Sequence, residues 1–281
     1  MEEDFKKEIE AFFTGTKVSR DFATDVMIPR LEGLLKLSKK DKIIVSIYYR
    51  MFLWINSLVI LNQIRCFQAV AAGTRSIFEL LLDLKLIIEN KINNAVEKYY
   101  VFTDIERARV AKDLVDYLEI HKDSKIKTKV YKDFLNGDGE KKKIDALIVK
   151  YWGMDKDGQP KKIKHWSGWS VKTRAEKFEG IYYEFYLQSY PLLSWHLHSV
   201  AGAGYQRVDE KGFRTLYGTS HRLAHQMFIE ATVLVAKEFH YYKVEPSFRE
   251  WIEQIRLVPG LELLRKHRKE FNTQGNQAVS R

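Results

Sequence analysis

The chain has 281 residues, 45% of them hydrophobic and 30% charged, with a formal net charge of +10. This composition is sufficient for a large buried core and excludes an intrinsically disordered chain. Only 5 prolines and 15 glycines interrupt it, so a fold rich in strands and turns is disfavoured and an all-α fold is expected.

The expected location is cytoplasmic. The first residues, Met-Glu-Glu-Asp-Phe, are acidic and are not followed by an apolar run with a cleavage site, so no secretory signal is expected. Cys66 is the single cysteine, which fits a reducing compartment. Segments 43–61 and 67–88 are apolar, but their charged residues would be costly in lipid. We therefore expect both to be buried helices, with no membrane partner.

Helical periodicity runs through most of the chain. Near the N-terminus it predicts helices over 3–13 and 18–37, the second kinked at Pro29 because proline lacks an amide donor. The centre of a multi-helix bundle is predicted to consist of segments 41–63, 67–90, 181–199 and 213–241, the last beginning at Phe213 or Ser220. We also predict an outer helix over 94–121 and a short helix near 246–256.

A lysine-rich segment stands apart from this pattern. Within a single helical domain spanning residues 1–281, residues 122–178 are predicted to form a peripheral insertion with short helices at 125–135 and 140–152. The sequence Asp155-Lys-Asp-Gly158 lacks the later ligands and the closing glutamate of a calcium loop, so it predicts a turn. Residues 270–281 are expected to be a polar tail.

The positive charge is concentrated in two places. Residues 121–165 contain thirteen lysines against seven acids, and residues 265–281 contain five basic residues against Glu270. Together these account for the whole excess. Lysines near phosphates release counterions on binding, so RNA or another polyanion is an expected partner. The alternative is that these lysines only keep the protein soluble.

One helix combines an apolar surface with ionic residues. Arg75, Glu79 and Asp83 follow one another at intervals of four and therefore share one stripe of the predicted helix 67–90. Because an unpaired charge in a core costs several kcal/mol, polar partners must face the stripe. The stripe is interpreted either as a structural ion-pair network or as a functional pocket, and Glu79→Ala is expected to destabilise the fold by about 3–5 kcal/mol.

Histidines on the later helices are the expected partners. His221 and His225 are one turn apart on one helix face. They lack both the intervening glutamate of a zinc protease and the Glu-x-x-His pattern of di-iron bundles, so neither a metal nor another cofactor is expected. His196 and His198 point about 200° apart on a helix, and His198 is taken as the inward one.

From these positions we predict one partly buried cluster of candidate catalytic residues, although each histidine could equally be a satisfied core residue. The cluster residues are Arg75, Glu79, His198 and His225, with His221 as a further candidate.

The segment His165-Trp-Ser-Gly-Trp169 is unusual for a loop. Its two tryptophans are interpreted as clamps that fasten the insertion rather than as platforms for a base. Ser167 lacks the Gly-x-Ser-x-Gly frame of a nucleophile elbow.

Several segments together resemble an uncharacterised bacterial helical family of unknown function. They are F-Q-A-V-A-A-G-T-R-S-I-F-E-L, E-K-Y-Y-V-F-T-D-I-E-R, H-W-S-G, Y-P-L-L-S-W-H-L-H-S and H-R-L-A-H-Q-M-F-I-E-A-T, and the likeness runs from about Tyr49 to Glu238. The resemblance implies a helical fold but no reaction. The motif positions that it implies are Arg75, Glu79, His165, Trp166, Ser194, His198 and His225.

The chain is also distantly similar to the HEPN helical ribonucleases, whose arginine and histidine are separated by four to six residues. Arg214 and His221 have this spacing, although Gly218 interrupts the helix between them. The similarity implies a histidine acting as general acid or base and an arginine that stabilises the phosphorane, without metal.

Three classes of function are compatible with these patterns. The favoured one is an RNA-binding protein or a metal-independent ribonuclease. The others are a small-molecule-binding helical module and a non-enzymatic interaction protein with a structural polar core, which a homodimer would suit.

Overall fold

A computed structural model describes residues 2–34, 36–61, 63, 66–122, 140–178, 180–195, 210–241 and 246–256, with side chains described except at 2–9, 12, 140–142, 195, 210–215 and 256. This part of the chain contains α-helices and one π-helical segment but no strand, which confirms the all-α prediction. In chain order the helices are α1 (Glu2–Phe22), α2 (Ile28–Glu32), α3 (Lys39–Ile60), α4 (Phe67–Ile88), α5 (Ala95–Ile120), α6 (Glu140–Trp152), α7 (Val171–Glu176), α8 (Gly180–Gln188), α9 (Tyr190–Trp195), α10 (Glu210–Glu238) and α11 (Pro246–Arg256).

The chain divides into two compact units. Residues 1–89 and 178–281 form one, here called the helical unit, and residues 90–177 form the other, here called the basic unit. The insertion predicted at 122–178 falls almost entirely in the basic unit. That unit begins earlier, at Asn90, and therefore includes α5, which the sequence pattern assigned to the outside of the bundle.

The N-terminal helices differ from the prediction. The expected break between residues 13 and 18 is absent, because α1 continues through Thr16 and Ser19, both of which are fully buried. The kink expected at Pro29 takes the form of a π-helical segment, Ala23–Met27, directly before α2. A π-helical turn accommodates the amide that proline lacks and the carbonyl that its ring would otherwise strike.

The centre of the helical unit is made by α3, α4 and α10, which pack against one another, with α1 against α3 and α10. Ser38 and Asp41 form a reciprocal capping box at the start of α3, with hydrogen bonds of 3.1 and 2.9 Å. By length and composition alone, α3 is the one helix in the described ranges apolar enough to cross a membrane. Its inner face nevertheless contributes fully buried Ile44, Ile47 and Met51 to this core.

Gly73 allows the close approach of α3 and α4. A Cβ atom at this position would lie 2.9 Å from Leu58 Cδ2 and 3.2 Å from Trp54 Cε3. Both distances are shorter than ordinary van der Waals contact. A larger side chain would therefore push the two central helices apart.

The helix predicted over 181–199 is instead two short helices, α8 and α9, and residues 196–199 lie outside the described part of the chain. Phe185 of α8 packs on Phe78 of α4, with ring centroids 4.3 Å apart. At the C-terminal end, Trp251 of α11 stacks on Phe22 of α1 at 4.5 Å. These aromatic contacts attach the shorter helices to the central ones.

The basic unit contains α5, α6 and α7. Helix α6 has the predicted bounds, Glu140–Trp152, whereas the helix predicted at 125–135 falls outside the described residues. Residues 153–170, here called the basic loop, connect α6 to α7. Asp155 Oδ1 accepts backbone hydrogen bonds of 2.9 Å from Asp157 and Gln159 and so forms the predicted turn.

Candidate functional site

Arg75 and Glu79 lie together on α4 and share a partner on α9, the hydroxyl of Tyr190. Arg75 Nε donates to Glu79 Oε1 and to Tyr190 Oη, each at 3.0 Å. The Tyr190 hydroxyl in turn donates to Glu79 Oε1 at 2.7 Å. The guanidinium carbon lies 5.0 Å from the centre of the tyrosine ring. We call these three residues the Arg75 cluster.

The electrostatics of the Arg75 cluster keep its donors protonated. Burial alone would lower the pKa of Arg75, but the hydrogen bonds and charges of Glu79 and Tyr190 raise it overall. Burial, reinforced by Glu79, raises the pKa of Tyr190 to about 12. At neutral pH Arg75 is therefore a cation and Tyr190 is a neutral phenol.

The sequence prediction for this stripe is met in part. The expected ion pair is present and the polar partner is Tyr190, which the sequence reasoning did not select, although it belongs to the same Y-P-L-L-S-W segment as Ser194. The Arg75 and Glu79 side chains are 23% and 32% exposed, so the pair lies at the edge of the core. His198, placed in the predicted cluster, is outside the described residues.

His225 has a partner elsewhere in the helical unit. It is fully buried, and its Nε2 lies 2.8 Å from Ser19 Oγ of α1. Among the described residues, Ser19 is the hydrogen-bond partner of His225, and no hydrogen bond joins His225 to Arg75 or Glu79. The structure therefore brings together two members of the predicted four-residue cluster, Arg75 and Glu79.

His221 is 1% exposed and contacts aromatic rings. The centroid of its ring lies 4.5 Å from Tyr217 and 6.3 Å from Phe13 of α1. Burial lowers the pKa of His221 to about 4, and burial together with the neighbouring His221 lowers the pKa of His225 to about 3. Both imidazoles are therefore neutral and withdrawn from solvent at pH 7. The side chain of Arg214, the proposed partner of His221, is outside the described residues.

A second ionic cluster in the helical unit was missed by the sequence reasoning. The Lys85 ammonium lies 2.8 Å from Glu89 Oε1 and 3.5 Å from Glu230 Oε1 of α10. The Tyr182 hydroxyl donates a short hydrogen bond to the same Glu230 oxygen. Lys85 also lies over the rings of Phe178 and Tyr182, at 5.1 and 4.7 Å. We call Lys85, Glu89, Tyr182 and Glu230 the Lys85 cluster.

The signal for the Lys85 cluster was present in the sequence as a lysine four residues before a glutamate in an otherwise apolar helix. Such a lysine needs partners because its charge is taken out of water. Lys85 is 8% exposed and Glu230 is 3% exposed. The Arg75 and Lys85 clusters fasten both ends of segment 180–195 to α4, so their geometry fits a structural role.

The basic unit contains the His165-Trp-Ser-Gly-Trp169 segment in a fixed turn. Ser167 Oγ lies 2.7 Å from His165 Nδ1 and accepts a 3.1 Å hydrogen bond from the Trp169 amide. Gly168 has φ +75°, a conformation that favours glycine. Ser167 is 4% exposed, so its hydroxyl holds the turn rather than standing open as a nucleophile.

Tryptophans fasten this turn inside the basic unit. Trp166 is 3% exposed and its ring meets that of Tyr99 of α5 at 5.6 Å. The Trp152 indole donates to the Trp166 carbonyl at 3.1 Å. Trp169 is half-buried and carries the ammonium of Lys177 over its ring at 5.4 Å. Trp166 thus acts as a clamp, while Trp169 keeps part of its ring surface accessible.

Three lysines of the basic loop stand in solvent beside this turn. Lys161, Lys162 and Lys164 are exposed, and none of them forms an ion pair in the described ranges. The cations of α5 are different, because Arg107, Arg109 and Lys112 each lie within ion-pair distance of an acidic residue one turn away. The basic loop therefore carries positive charge that is neither buried nor neutralised.

Among the described residues, no group of three or more His, Cys, Asp or Glu side chains is arranged to hold a metal ion.

Comparison with known proteins gives a family but no activity. A model described as a family of unknown function (DUF5677) matches residues 41–215. No curated protein matches the chain. No solved structure matches it either.

Proposed function

We propose that the basic unit binds single-stranded RNA through the basic loop. The chain belongs to DUF5677, a family of unknown function whose description names no activity. The observation that carries the proposal is the set of three exposed, unpaired lysines within four residues, Lys161, Lys162 and Lys164. Cations in this state release the counterions of a phosphate backbone on binding without first breaking an ion pair.

Partly exposed aromatic side chains of the basic unit support a single-stranded ligand. Trp169 is half-buried, as is Tyr151, whose ring lies 5.1 Å from the Lys150 ammonium. Single-stranded nucleic acids are bound by basic grooves together with rings on which their unpaired bases stack. Lys177 over Trp169 occupies a place that a base would take by stacking.

Rigidity of the turn also supports binding. The hydrogen bonds among His165, Ser167 and Trp169 and the positive φ of Gly168 fix the backbone beside the lysines. A preorganised surface loses less conformational entropy on association.

The proposal is for binding rather than cleavage. Catalysis by a histidine at a phosphodiester requires an imidazole that reaches the ribose hydroxyl and titrates near neutral pH. His221 and His225 are buried in the helical unit, and their pKa values lie well below neutrality. Neither histidine therefore supports the ribonuclease alternative.

The test is fluorescence anisotropy with a labelled single-stranded RNA of mixed sequence. The triple variant Lys161→Gln/Lys162→Gln/Lys164→Gln is expected to bind at least about ten-fold more weakly than the natural protein, because three phosphate contacts are removed. The matched control is Lys112→Gln/Lys122→Gln/Lys172→Gln. It removes the same charge from exposed lysines elsewhere in the basic unit, two of which already face acids.

The control variant is expected to keep affinity within about three-fold of the natural protein. Equal losses in the two variants would show that only net charge matters and would contradict a site in the basic loop. Absence of binding by the natural protein at low salt would refute RNA binding. Tighter binding of duplex than of single-stranded RNA would contradict the proposed stacking on Trp169.

A further inference from the structure

The two buried histidines lie where α1 packs on α10. His225 bonds to Ser19 of α1, and His221 meets the edge of the Phe13 ring on the same helix. These two contacts join α1 to histidines that are one turn apart on α10. The pair is therefore part of the interface that holds α1 in place.

This interface offers few partners that would stabilise a positive charge on either imidazole. Of the four ring nitrogens, one, His225 Nε2, has a hydrogen-bond partner among the described residues, and that partner is the Ser19 hydroxyl. No carboxylate in the described ranges contacts either ring. A protonated imidazole here would be an unpaired buried cation, which is strongly unfavourable.

Titratable and charged groups on the surrounding elements have other partners or face solvent. On α1, Arg20 bonds to Asp21 and Asn56, and Glu10 and Lys17 are exposed. On α3 and α4, Lys40 pairs with Glu238, Lys85 pairs with Glu230, and Tyr48 bonds to Thr232. Asp25 of the π-helical segment is exposed, Arg222 of α10 is half-buried, Arg75 and Glu79 of α4 pair with each other, and Cys66 lies beside Tyr217.

Tyr217 is the one titratable group among these that touches a histidine, and it cannot balance a charge there. Burial, with a contribution from Cys66, raises the pKa of Tyr217 to about 12. The phenol is therefore neutral wherever His221 could gain a proton.

We propose that His221 and His225 form a proton-operated latch, in which protonation of the two imidazoles at mildly acidic pH releases α1 from α10 and bares the α10 surface beneath it. The latch is a property of the helical unit and is independent of RNA binding by the basic unit. It converts a fall in pH into exposure of a helix face that is covered at neutral pH.

The direction of the effect follows from the pKa values. In the docked state His221 and His225 have pKa values of about 4 and about 3, below the ordinary value for a solvated histidine. The released state therefore binds more protons than the docked state as the pH falls below about 6.5. The docking of α1 on α10 weakens until the pH reaches the pKa values of the docked histidines. From pH 7.5 to pH 5.5 each histidine favours release by about ten-fold, so the pair favours it by about a hundred-fold.

The contacts of the core indicate that α1 would move alone. The Tyr48 hydroxyl bonds to Thr232 at 3.0 Å, and the Thr74 hydroxyl donates to the Ser220 carbonyl at 3.0 Å. These bonds join α10 to α3 and α4 and do not involve the histidines. Helix α1 packs on α3 and α10 but takes part in neither of these bonds, so its release need not break them.

Hydrogen exchange at pH 7.5 and 5.5, corrected for the intrinsic rate at each pH, tests the latch on the full chain. Protection of α1 amides is expected to fall by about a hundred-fold, while α4 and α5 amides change by less than about three-fold. In the double variant His221→Phe/His225→Gln, the α1 change is expected to disappear. If that variant does not fold, each single variant should show a change of about ten-fold instead.

The control variant His240→Asn removes an exposed histidine just after α10, at a position with φ +61° that asparagine tolerates. It should retain the full change in α1. Equal protection of α1 at the two pH values in the natural protein would overturn the latch. So would simultaneous loss of protection in α1, α4 and α10, or persistence of the α1 change in the double variant.

Discussion

The helical unit and the basic unit treat charged side chains in opposite ways. In the helical unit, Lys85 and Glu230 are withdrawn from water and bonded to each other and to neighbours. In the basic unit, Lys161, Lys162 and Lys164 stand in water without ion-pair partners. A buried charge must be paired to be tolerated, so its partners contribute to stability. An exposed unpaired charge contributes little to stability and remains available to a ligand.

The largest effect that tests this contrast is expected at Glu230. Glu230 is 3% exposed, and its carboxylate accepts hydrogen bonds from both Lys85 and Tyr182. Replacement by alanine removes this shared acceptor. We expect Glu230→Ala to lower the free energy of unfolding of the helical unit by about 3 kcal/mol. Urea denaturation followed by circular dichroism measures this value.

Glu230→Gln is the matched control, because it keeps the size of the side chain and an acceptor for Tyr182 while removing the charge. It should cost roughly half as much as the alanine variant. A loss below about 1 kcal/mol in Glu230→Ala would contradict the structural role of the Lys85 cluster.

A smaller effect is expected at Gly168 in the basic unit. Alanine at this position would adopt φ +75° and place its Cβ 3.0 Å from Trp152 Cδ1. We expect Gly168→Ala to destabilise the basic unit by about 1–2 kcal/mol and to weaken RNA binding, because the turn beside the lysines must shift. Denaturation monitored by tryptophan fluorescence gives the first quantity and anisotropy the second.

Gly158→Ala separates backbone strain from crowding in the same loop. Gly158 has φ +71°, but a Cβ atom there meets nothing within 4 Å. Gly158→Ala should therefore lower the free energy of unfolding only by the cost of placing alanine in the left-handed conformation. Identical losses in the two variants would show that the contact with Trp152 has no influence.

The smallest effect is expected in the Arg75 cluster, which is partly exposed. Tyr190→Phe removes the hydroxyl that joins Arg75 and Glu79 and should cost about 1 kcal/mol in thermal or chemical denaturation. Tyr186→Phe is the control, because that ring stacks on Tyr190 at 5.3 Å without a described hydrogen bond. Equal effects in the two variants would show that the hydroxyl of Tyr190 contributes nothing.

Glu79→Ala is now expected to cost about 1 kcal/mol rather than the larger value derived from the sequence. The larger value assumed that Arg75 would be left unpaired in the core, because helix 67–88 is apolar on nearly every face. In the structure Arg75 is about a quarter exposed and keeps the Tyr190 hydroxyl as a partner. Water and this second partner reduce the cost of losing the carboxylate.

Helix positions were predictable because they depend on local periodicity. Helices α4, α6 and α11 lie within two residues of their predicted bounds. The predicted break before residue 18 was wrong, since the buried residues Thr16 and Ser19 continue the apolar face of α1 that packs on α10. Tertiary burial overrides weak local propensity at such positions.

Side-chain partners were less predictable, because they depend on which helices become neighbours. The pairing of Arg75 with Glu79 follows from spacing along one helix. The partners Tyr190 and Ser19 lie on other helices, 111 residues from Glu79 and 206 residues from His225. No periodicity within a helix encodes such a distance. The convergence of His225 with Arg75 and Glu79 was proposed without that information.

The measurement that tests RNA binding by the basic loop most directly is the salt dependence of affinity. Single strands release about 0.7 counterion per neutralised phosphate, so the slope of log Kd against log salt should decrease by about 2 in Lys161→Gln/Lys162→Gln/Lys164→Gln. The control Lys112→Gln/Lys122→Gln/Lys172→Gln should keep the slope of the natural protein. An unchanged slope in the basic-loop variant, or an equal decrease in the control, would contradict the assignment of phosphate contacts to these three lysines.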